Sequence, residues 1–307
     1  MILIADSGST KTDWVLRPAA DTVVQAPAAH FQTQGLNPIH LSDEQIGAVL
    51  CSVRQWLSSH LQRLTPSGIS AGSPLSVLFY GSGVRPDQEV RMERLIREAL
   101  SPLTPHQERA ASLVESCRGL LIEAHSDLLG AARALCGESE GLACILGTGA
   151  NSCLYDGHNI VANTPPLGYI LGDEGSGAVL GKRFLNALYK GHLGEGIKAD
   201  FEADMQMTLT EVIDRVYRQP LPNRWLASLS PFIHGRLAVH AVEELVVENF
   251  SAFIARNIEP YHRRDLPLQA VGSIAFYYRD QLCQAARKAG YAVGKILRSP
   301  LELPGTC

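Results

Sequence analysis

Residues 2–17 read ILIADSGSTKTDWVLR, and residues 142–155 read LACILGTGANSCLY. Each starts as a short apolar run, breaks at a turn of glycine and hydroxyl residues, and resumes as a second β-prone run. Strands that return across so short a turn pair antiparallel. The same strand–glycine turn–strand unit thus heads the chain and recurs near its middle. Such a recurrence marks two domains of related topology.

Outward from the first unit, Val23–Ala26 reads as a third strand. A helix is predicted over about Asp43–His60, entered at Ser42 with Gln45 three residues on, a capping box. Ser76–Tyr80 reads as a strand stopped by Gly81-Ser82-Gly83. Pro86 then opens a helix whose apolar stripe is Val90, Leu95, Ile96 and Leu100. Ala111–Glu115 is a further strand candidate, and His125–Leu135 a helix with Leu128, Leu129, Ala132 and Leu135 on one side. Beyond the second unit, helices are predicted at about Gly177–Tyr189, Leu209–Arg218 and Leu237–Arg256. A strand at Leu266–Val271 is stopped by Gly272-Ser273 before a helix through Lys288. Strands alternating with helices place both halves in the α/β class. The expected division is 1–115 and 116–290, with a C-terminal segment 291–307 that can return to the first domain.

The 307 residues are 46% hydrophobic and 19% charged, with a net charge of −4 spread along the chain. That is the composition of a soluble globular protein, longer than one compact core usually serves. No basic stripe points to nucleic acid as a partner. No apolar run is long enough to cross a membrane, and residues 1–10 lack the basic region and cleavage site of a secretory signal. The expectation is a cytoplasmic protein. Seven cysteines (51, 117, 136, 144, 153, 283 and 307) include no Cys-x-x-Cys pair, so neither a zinc knuckle nor a dithiol redox site is signalled. They read as small buried hydrophobes in a reducing compartment.

The chemistry-bearing residues gather at strand ends. In Asp6-Ser7-Gly8-Ser9-Thr10-Lys11, glycine lets backbone N–H groups approach a ligand, the hydroxyls add donors and Lys11 adds a cation. Asp6 could hold Mg²⁺ through water. One such turn is equally an ordinary polar hairpin, but Gly147-Thr148-Gly149-Ala150-Asn151 repeats the chemistry in the second half. Neither is the strand-to-helix phosphate loop, nor the dinucleotide fingerprint that opens a helix. Gly272-Ser273 ends a strand and starts a helix, where backbone could approach an adenosine or phosphate. Asp127 begins a helix, a place the macrodipole favours for a carboxylate. Its functional reading is a general base taking the proton of a hydroxyl that attacks a γ-phosphoryl group. Asp173 and Glu174 lie in the densest cluster of acid and glycine, Gly172–Gly177, suited to sugar hydroxyls or a metal. The plain alternative is a helix-capping loop with solvated acids. Gly35, Asn37, Gly168 and Tyr169 could complete a sugar pocket.

As a set these motifs resemble the actin/hexokinase/Hsp70-like ATPase superfamily, and within it the BadF/BadG/BcrA/BcrD and N-acetylglucosamine kinase branch. Asp6-x-Gly8-x-Thr10-Lys11 is similar to its first phosphate motif and Leu146–Asn151 to its second. Ser126-Asp127 is similar to the start of its connecting helix, Gly172–Gly177 to the branch signature and Gly272-Ser273-Ile274-Ala275 to its adenosine motif. The resemblance implies two ribonuclease-H-like domains, mixed five-stranded sheets with flanking helices, around an interdomain cleft. It implies ATP with Mg²⁺, a small-molecule sugar substrate and a homodimer. The implied reaction is phosphorylation of an amino-sugar hydroxyl, with N-acetylglucosamine 6-phosphate the product that fits best. Asp127 would be the base and Asp6 the metal residue. Gly8, Ser9, Thr10, Lys11, Gly147, Thr148 and Gly149 would hold phosphates, and Gly272 and Ser273 the adenosine. Gly35, Asn37, Asp127, Gly168, Tyr169, Asp173 and Glu174 would hold the sugar.

Two alternatives stand beside this. One is an ATPase that activates a partner enzyme, of the 2-hydroxyacyl-CoA dehydratase activator type, which would clamp a [4Fe–4S] cluster with cysteines such as Cys117 and Cys153. Neither lies in a recognisable cluster loop. The other is a non-catalytic sugar or nucleotide sensor, against which Asp127 speaks; no helix-turn-helix precedes Met1. The Cys-rich zinc motif of the ROK sugar kinases is absent. One departure from the family pattern is the ending Leu303-Pro304-Gly305-Thr306-Cys307, where a glycine turn and short helix are usual.

Overall fold

The computed structural model describes residues 1–8, 10–18, 28–64, 75–101 and 120–302. The chain forms two compact units, which part between Gly130 and Ala131. The boundary expected at 115/116 lies outside the described residues, as do the candidate strands 23–26 and 111–115.

In the first unit, β1 (Ile2–Ser7), β2 (Lys11–Arg17) and β3 (Ala29–Gln34) form an antiparallel meander. β4 (Ser76–Gly81) pairs parallel with β1, and β5 (Leu121–Ser126) pairs parallel with β4. The order is β3-β2-β1-β4-β5. Parallel neighbours need a crossover, and helices α1 (Asp43–Leu64) and α2 (Pro86–Leu100) lie in the stretches that supply it. Ser42 and Gln45 exchange the reciprocal bonds of a capping box at the start of α1, at 3.3 and 2.9 Å. Pro86 stands in the first turn of α2. The buried stripe of α2 is Met92, Leu95, Ile96, Ala99 and Leu100; Val90, expected in it, is 74% exposed. Counted from Ile96, position 92 is one turn back on the same face, whereas position 90 falls on the opposite side. The core packs Leu3, Trp14, Val77, Phe79 and Ile122 against Ile46, Leu50 and Ile96.

The second sheet repeats the plan. β6 (Gly141–Leu146), β7 (Ala150–Tyr155) and β8 (Ile160–Ala162) form the meander, β9 (Leu268–Val271) pairs parallel with β6, and β10 (Val293–Leu297) with β9. Its order is β10-β9-β6-β7-β8. The central strands β6 and β9 are buried along nearly their whole length, as strands covered on both faces are. β10 lies in the stretch set apart as a C-terminal segment, yet it belongs to this sheet. The helix expected from His125 is α3 (Asp127–Cys136), because residues up to Ser126 continue β5. α4 (Gly177–Tyr189) has the predicted bounds. The helix expected from Leu237 is α5 (His240–Phe253), followed by a wider π-helical turn at Ile254–Ile258. The expected last helix is two, Ser273–Tyr277 and Arg279–Lys288. Two mixed five-stranded sheets with flanking helices and no closed barrel is the fold class that the resemblance implies.

Candidate functional site

In the first unit the carboxyl ends of three parallel strands lie side by side, with Ser7 beside Gly81 and Gly81 beside Ser126. Open α/β sheets bind ligands beyond such an edge. β1 leaves it through a tight turn in which the Gly8 N–H donates to the Lys11 carbonyl at 3.0 Å. Ser7 is fully buried and pins this turn: its Oγ lies 2.8 Å from Thr12 Oγ1 and accepts the Leu36 N–H, while its carbonyl accepts the Ser82 N–H. The Gly35 N–H donates to the Thr10 carbonyl, bringing the 35–37 segment alongside. Asn37 Oδ1 accepts the Ile39 N–H at 2.9 Å, and its carboxamide lies against Gly83. Lys11 pairs with Asp13 at 2.8 Å in partly exposed surroundings; such a pair contributes little and exchanges partners readily.

Two acids dominate this edge. Asp6 stands opposite Asp13 on β2 and Tyr80 on β4. Its carboxyl is pushed up to about 7, first by burial, then by the negative charges of Asp127 and Asp13, with Lys11 opposing. Asp127 opens α3, where Ser126 Oγ accepts the Leu129 N–H and Asp127 Oδ1 accepts the Leu128 N–H at 2.9 Å. The N–H groups of Leu128 and of Asp127 itself favour its carboxylate, but burial outweighs them and holds the group at about 6. Asp13, which sequence reading did not single out, was legible from the hairpin: the turn that pairs Ser7 with Thr12 pairs Asp6 with Asp13. Crowded carboxylates are hard oxygen donors, and Mg²⁺ is held by one or two of them together with water and substrate phosphates. Among the described residues no three ligating side chains close a cage. Asp6 and Asp13 are donors of the kind that Mg²⁺ takes.

The raised Asp6 carboxyl has a consequence for stability. Between its ordinary 3.8 and about 7, the folded chain keeps a proton that the unfolded chain has released, so stability falls as pH rises through that window. Asp6→Asn removes the charge, and its melting temperature at pH 8 is expected about 2–4 °C above the parent's, the difference closing towards pH 4. Thermal melts at the two pH values check this; a lower value for the variant at pH 8 contradicts it.

In the second unit the turn between β6 and β7 closes with Gly147 N–H donating to the Gly149 carbonyl at 3.0 Å. The Gly147 and Thr148 carbonyls accept the N–H groups of Gly177 and Ala178, the first residues of α4. Asp173 has a left-handed backbone, φ 53°. Its carboxylate accepts backbone N–H groups of Ala150 and Gly168 and is pushed up to about 6 by burial. A Cβ on Gly149 would stand 3.1 Å from its Oδ2, so the acid rests on the turn. Glu174 points elsewhere: it takes Arg256 at 2.9 Å and Asn257 Nδ2 at 3.3 Å. Gly168 opens a single helical turn, and Tyr169 lines a cavity of about 720 Å³ with Lys182, Leu185, Val212 and Tyr217. Gly272, φ 122°, presses on the Leu146 carbonyl, and Ser273 follows, exposed, at the start of its helix.

Each unit thus gathers its own share of the expected residues. Asp6, Gly8, Thr10, Lys11, Gly35, Asn37 and Asp127 lie in the first; Gly147, Thr148, Gly149, Gly168, Tyr169, Asp173, Glu174, Gly272 and Ser273 lie in the second. Ser9 lies outside the described residues. Gly8 and Gly147 share one further property. A Cβ at Gly8 would meet nothing closer than 3.7 Å, one at Gly147 nothing within 4 Å, and neither has a left-handed φ. The fold itself does not demand glycine at either position. Cys153, one of the two cysteines considered for a cluster, is fully buried in β7 with its thiol pushed up to about 12 by burial; Cys117 lies outside the described residues.

A duplicated five-stranded mixed sheet, each copy with a glycine–hydroxyl turn after its first strand, is the actin/hexokinase-like fold. Family models give no match to the chain, and neither do curated proteins. Among solved structures, a candidate N-acetylglucosamine kinase from Porphyromonas gingivalis is 44% identical, with a TM-score of 0.81, over 98% of this chain and 96% of that one. The chain belongs to the family of that protein, the N-acetylglucosamine kinase-like members of the actin-like ATPase superfamily. A second candidate N-acetylglucosamine kinase, from Chromobacterium violaceum, matches at 18% identity and TM-score 0.55 over 95% and 94% of the two chains. A ROK-family transcriptional regulator homologous to the E. coli MLC protein matches at 8% and 0.50, over 96% and 74%. These two likenesses show the fold alone. Since one is to a regulator, activity must be argued from the site.

Proposed function

We propose that the chain is an ATP-dependent sugar kinase that phosphorylates an amino-sugar hydroxyl, N-acetylglucosamine at its 6-OH. The observation that carries the reading is Asp127, a carboxyl held at about 6 by burial at the sheet edge where Asp6 also stands. The full-length likeness to the P. gingivalis protein supports the substrate class, and the Gly172–Gly177 motif supports placement in the BadF/BadG/BcrA/BcrD branch. A cytoplasmic homodimer completes the proposal. Among the described residues no helix is long and apolar enough to cross a membrane.

The chemistry needs little beyond positioning and charge. Asp127 Oδ1 is occupied by the Leu128 N–H, which leaves Oδ2 to take the hydroxyl proton. The sugar oxygen bonds to the γ-phosphorus as the bond to the β,γ-bridging oxygen breaks, and ADP leaves with that electron pair. Lys11 exchanges Asp13 for a phosphate, and the Thr10 and Thr148 hydroxyls donate to phosphate oxygens. The backbone at Gly8, Gly147 and Gly149 gives the phosphates room, and Gly272-Ser273 lies against the adenosine. Asp6 would hold Mg²⁺, which would supply neutralisation of charge on the phosphate oxygens. Asp173 accepts from a sugar hydroxyl, with the Asn37 carboxamide, Gly35, Gly168 and Tyr169 completing the sugar contacts.

The test is a coupled ADP-release assay with Mg·ATP against a panel of sugars and amino sugars and a no-sugar blank. Release that depends on N-acetylglucosamine, with a phosphosugar product, is the expected result. Equal release with and without sugar overturns the kinase reading in favour of an ATPase.

A further inference from the structure

The loop Asp173–Ser176 is held from behind by one continuous stretch of chain, α5 and the wider turn at its end. Asn249, fully buried on α5, accepts the Gly175 N–H on Oδ1 and donates from Nδ2 to the Ser176 carbonyl, both at 3.4 Å. Phe253 closes on Gly175, its Cβ 2.8 Å from where a side chain there would begin. Arg256 and Asn257 then take the two Glu174 oxygens, at 2.9 and 3.3 Å. Glu174 is only 14% exposed while Arg256 is 70% exposed, so the carboxylate is drawn inward and the cation lies outward.

The wider turn sets this register. Eight residues of regular α-helix overshoot two full turns by about 80°, which would swing Asn257 away from the face that carries Asn249. An i→i+5 turn accommodates an extra residue and rotates the chain beyond it, and Ile254–Ile258 is such a turn. The Asn257 carbonyl meanwhile accepts Ser152 Oγ and Thr164 Oγ1, at 3.2 and 3.0 Å. One residue therefore ties Glu174 to β7, the strand that leaves the Gly147–Gly149 turn. Asp173, next to Glu174, keeps a left-handed backbone, φ 53°, a conformation that persists where the surroundings hold it.

We propose that Glu174 is a positioning residue: gripped by Arg256 and Asn257, with Asn249 holding the next two residues, it fixes Asp173 on the Gly147–Ala150 turn, and only Asp173 of the pair meets the sugar. The assignment rests on the kinase reading for its substrate but not for its mechanics. It separates the two acids by role, one facing the ligand and one facing the protein.

The experiment compares Glu174→Gln, Glu174→Ala and Asn257→Ala in the full chain. It reads sugar KM, ATP KM and hydrogen exchange of the amides at 174–176. Gln keeps the Arg256 bond on its one carbonyl oxygen, and its N–H₂ donates to the Asn257 carboxamide oxygen once that group turns over, so its sugar KM stays within about threefold of the parent. The two alanine variants raise sugar KM about tenfold or more, leave ATP KM within about twofold, and speed loop exchange about tenfold. Glu174→Gln as damaging as Glu174→Ala overturns the proposal, because the charge itself then meets substrate or cation. So does loop exchange unchanged in both alanine variants. If the parent shows no sugar-dependent turnover, the kinase reading fails by itself, and the exchange comparison still decides the clamp.

Discussion

Asp127→Asn lowers sugar-dependent turnover about a thousandfold or more, within the range a positioned general base supplies, and leaves ATP affinity within about twofold of the parent. The amide keeps the side chain's shape, and its oxygen still accepts the Leu128 N–H that Oδ1 now holds. What it loses is the ability to take a proton from the attacking hydroxyl. Burial already disfavours the charged carboxylate, which is why the group sits at about 6 rather than 3.8. The variant therefore melts no lower than the parent at pH 8, and a loss of rate cannot be laid to unfolding. The pH profile gives a second readout. Below about 6 the Asp127 carboxyl holds its proton, so the acid limb of kcat/KM is less steep in the variant than in the parent, where Asp127 titrates besides Asp6 and Asp173. Steady-state ADP release and a direct nucleotide-binding titration check both; turnover within tenfold of the parent removes Asp127 as the base.

Why Asp127 was legible at all is instructive. A carboxylate after a strand and before an alanine-rich helix is a local pattern, and so is the glycine–hydroxyl turn that brings Asp6 opposite Asp13. Local patterns also marked α4 at Gly177–Tyr189 and the capping box of α1. β5 was missed because its residues Leu121–Ser126 alternate weakly, with Glu123 and His125 among them. A strand paired with β4 on one side only tolerates such residues. The partners of Glu174 were not legible for another reason: Arg256 and Asn257 lie 82 and 83 positions away. No spacing in a single sequence announces a pair brought together only by the fold.

The second large effect contrasts three glycines with different physical burdens. Gly147→Val and Gly8→Val place a side chain where the fold leaves space: at Gly147 nothing lies within 4 Å of the new Cβ, at Gly8 nothing closer than 3.7 Å, and neither backbone is left-handed. Both are expected to fold with melting temperatures within about 3 °C of the parent, the span of a change near 1 kcal/mol in a chain this long. Yet ATP affinity should fall a hundredfold or more, about 2.7 kcal/mol, because a branched side chain occupies the room that the phosphates need. Gly272→Ala is the converse. Its φ of 122° and a Cβ only 2.3 Å from the Leu146 carbonyl force β6 and β9 apart, at a cost of about 3 kcal/mol or more, the mark of a strained backbone position combined with overpacking. That variant loses stability first, and nucleotide binding only as a consequence. Melting curves and ATP titrations on the three proteins separate the cases. If Gly147→Val binds ATP as tightly as the parent, the turn is not a phosphate cradle, and its glycines need another explanation than ligand approach.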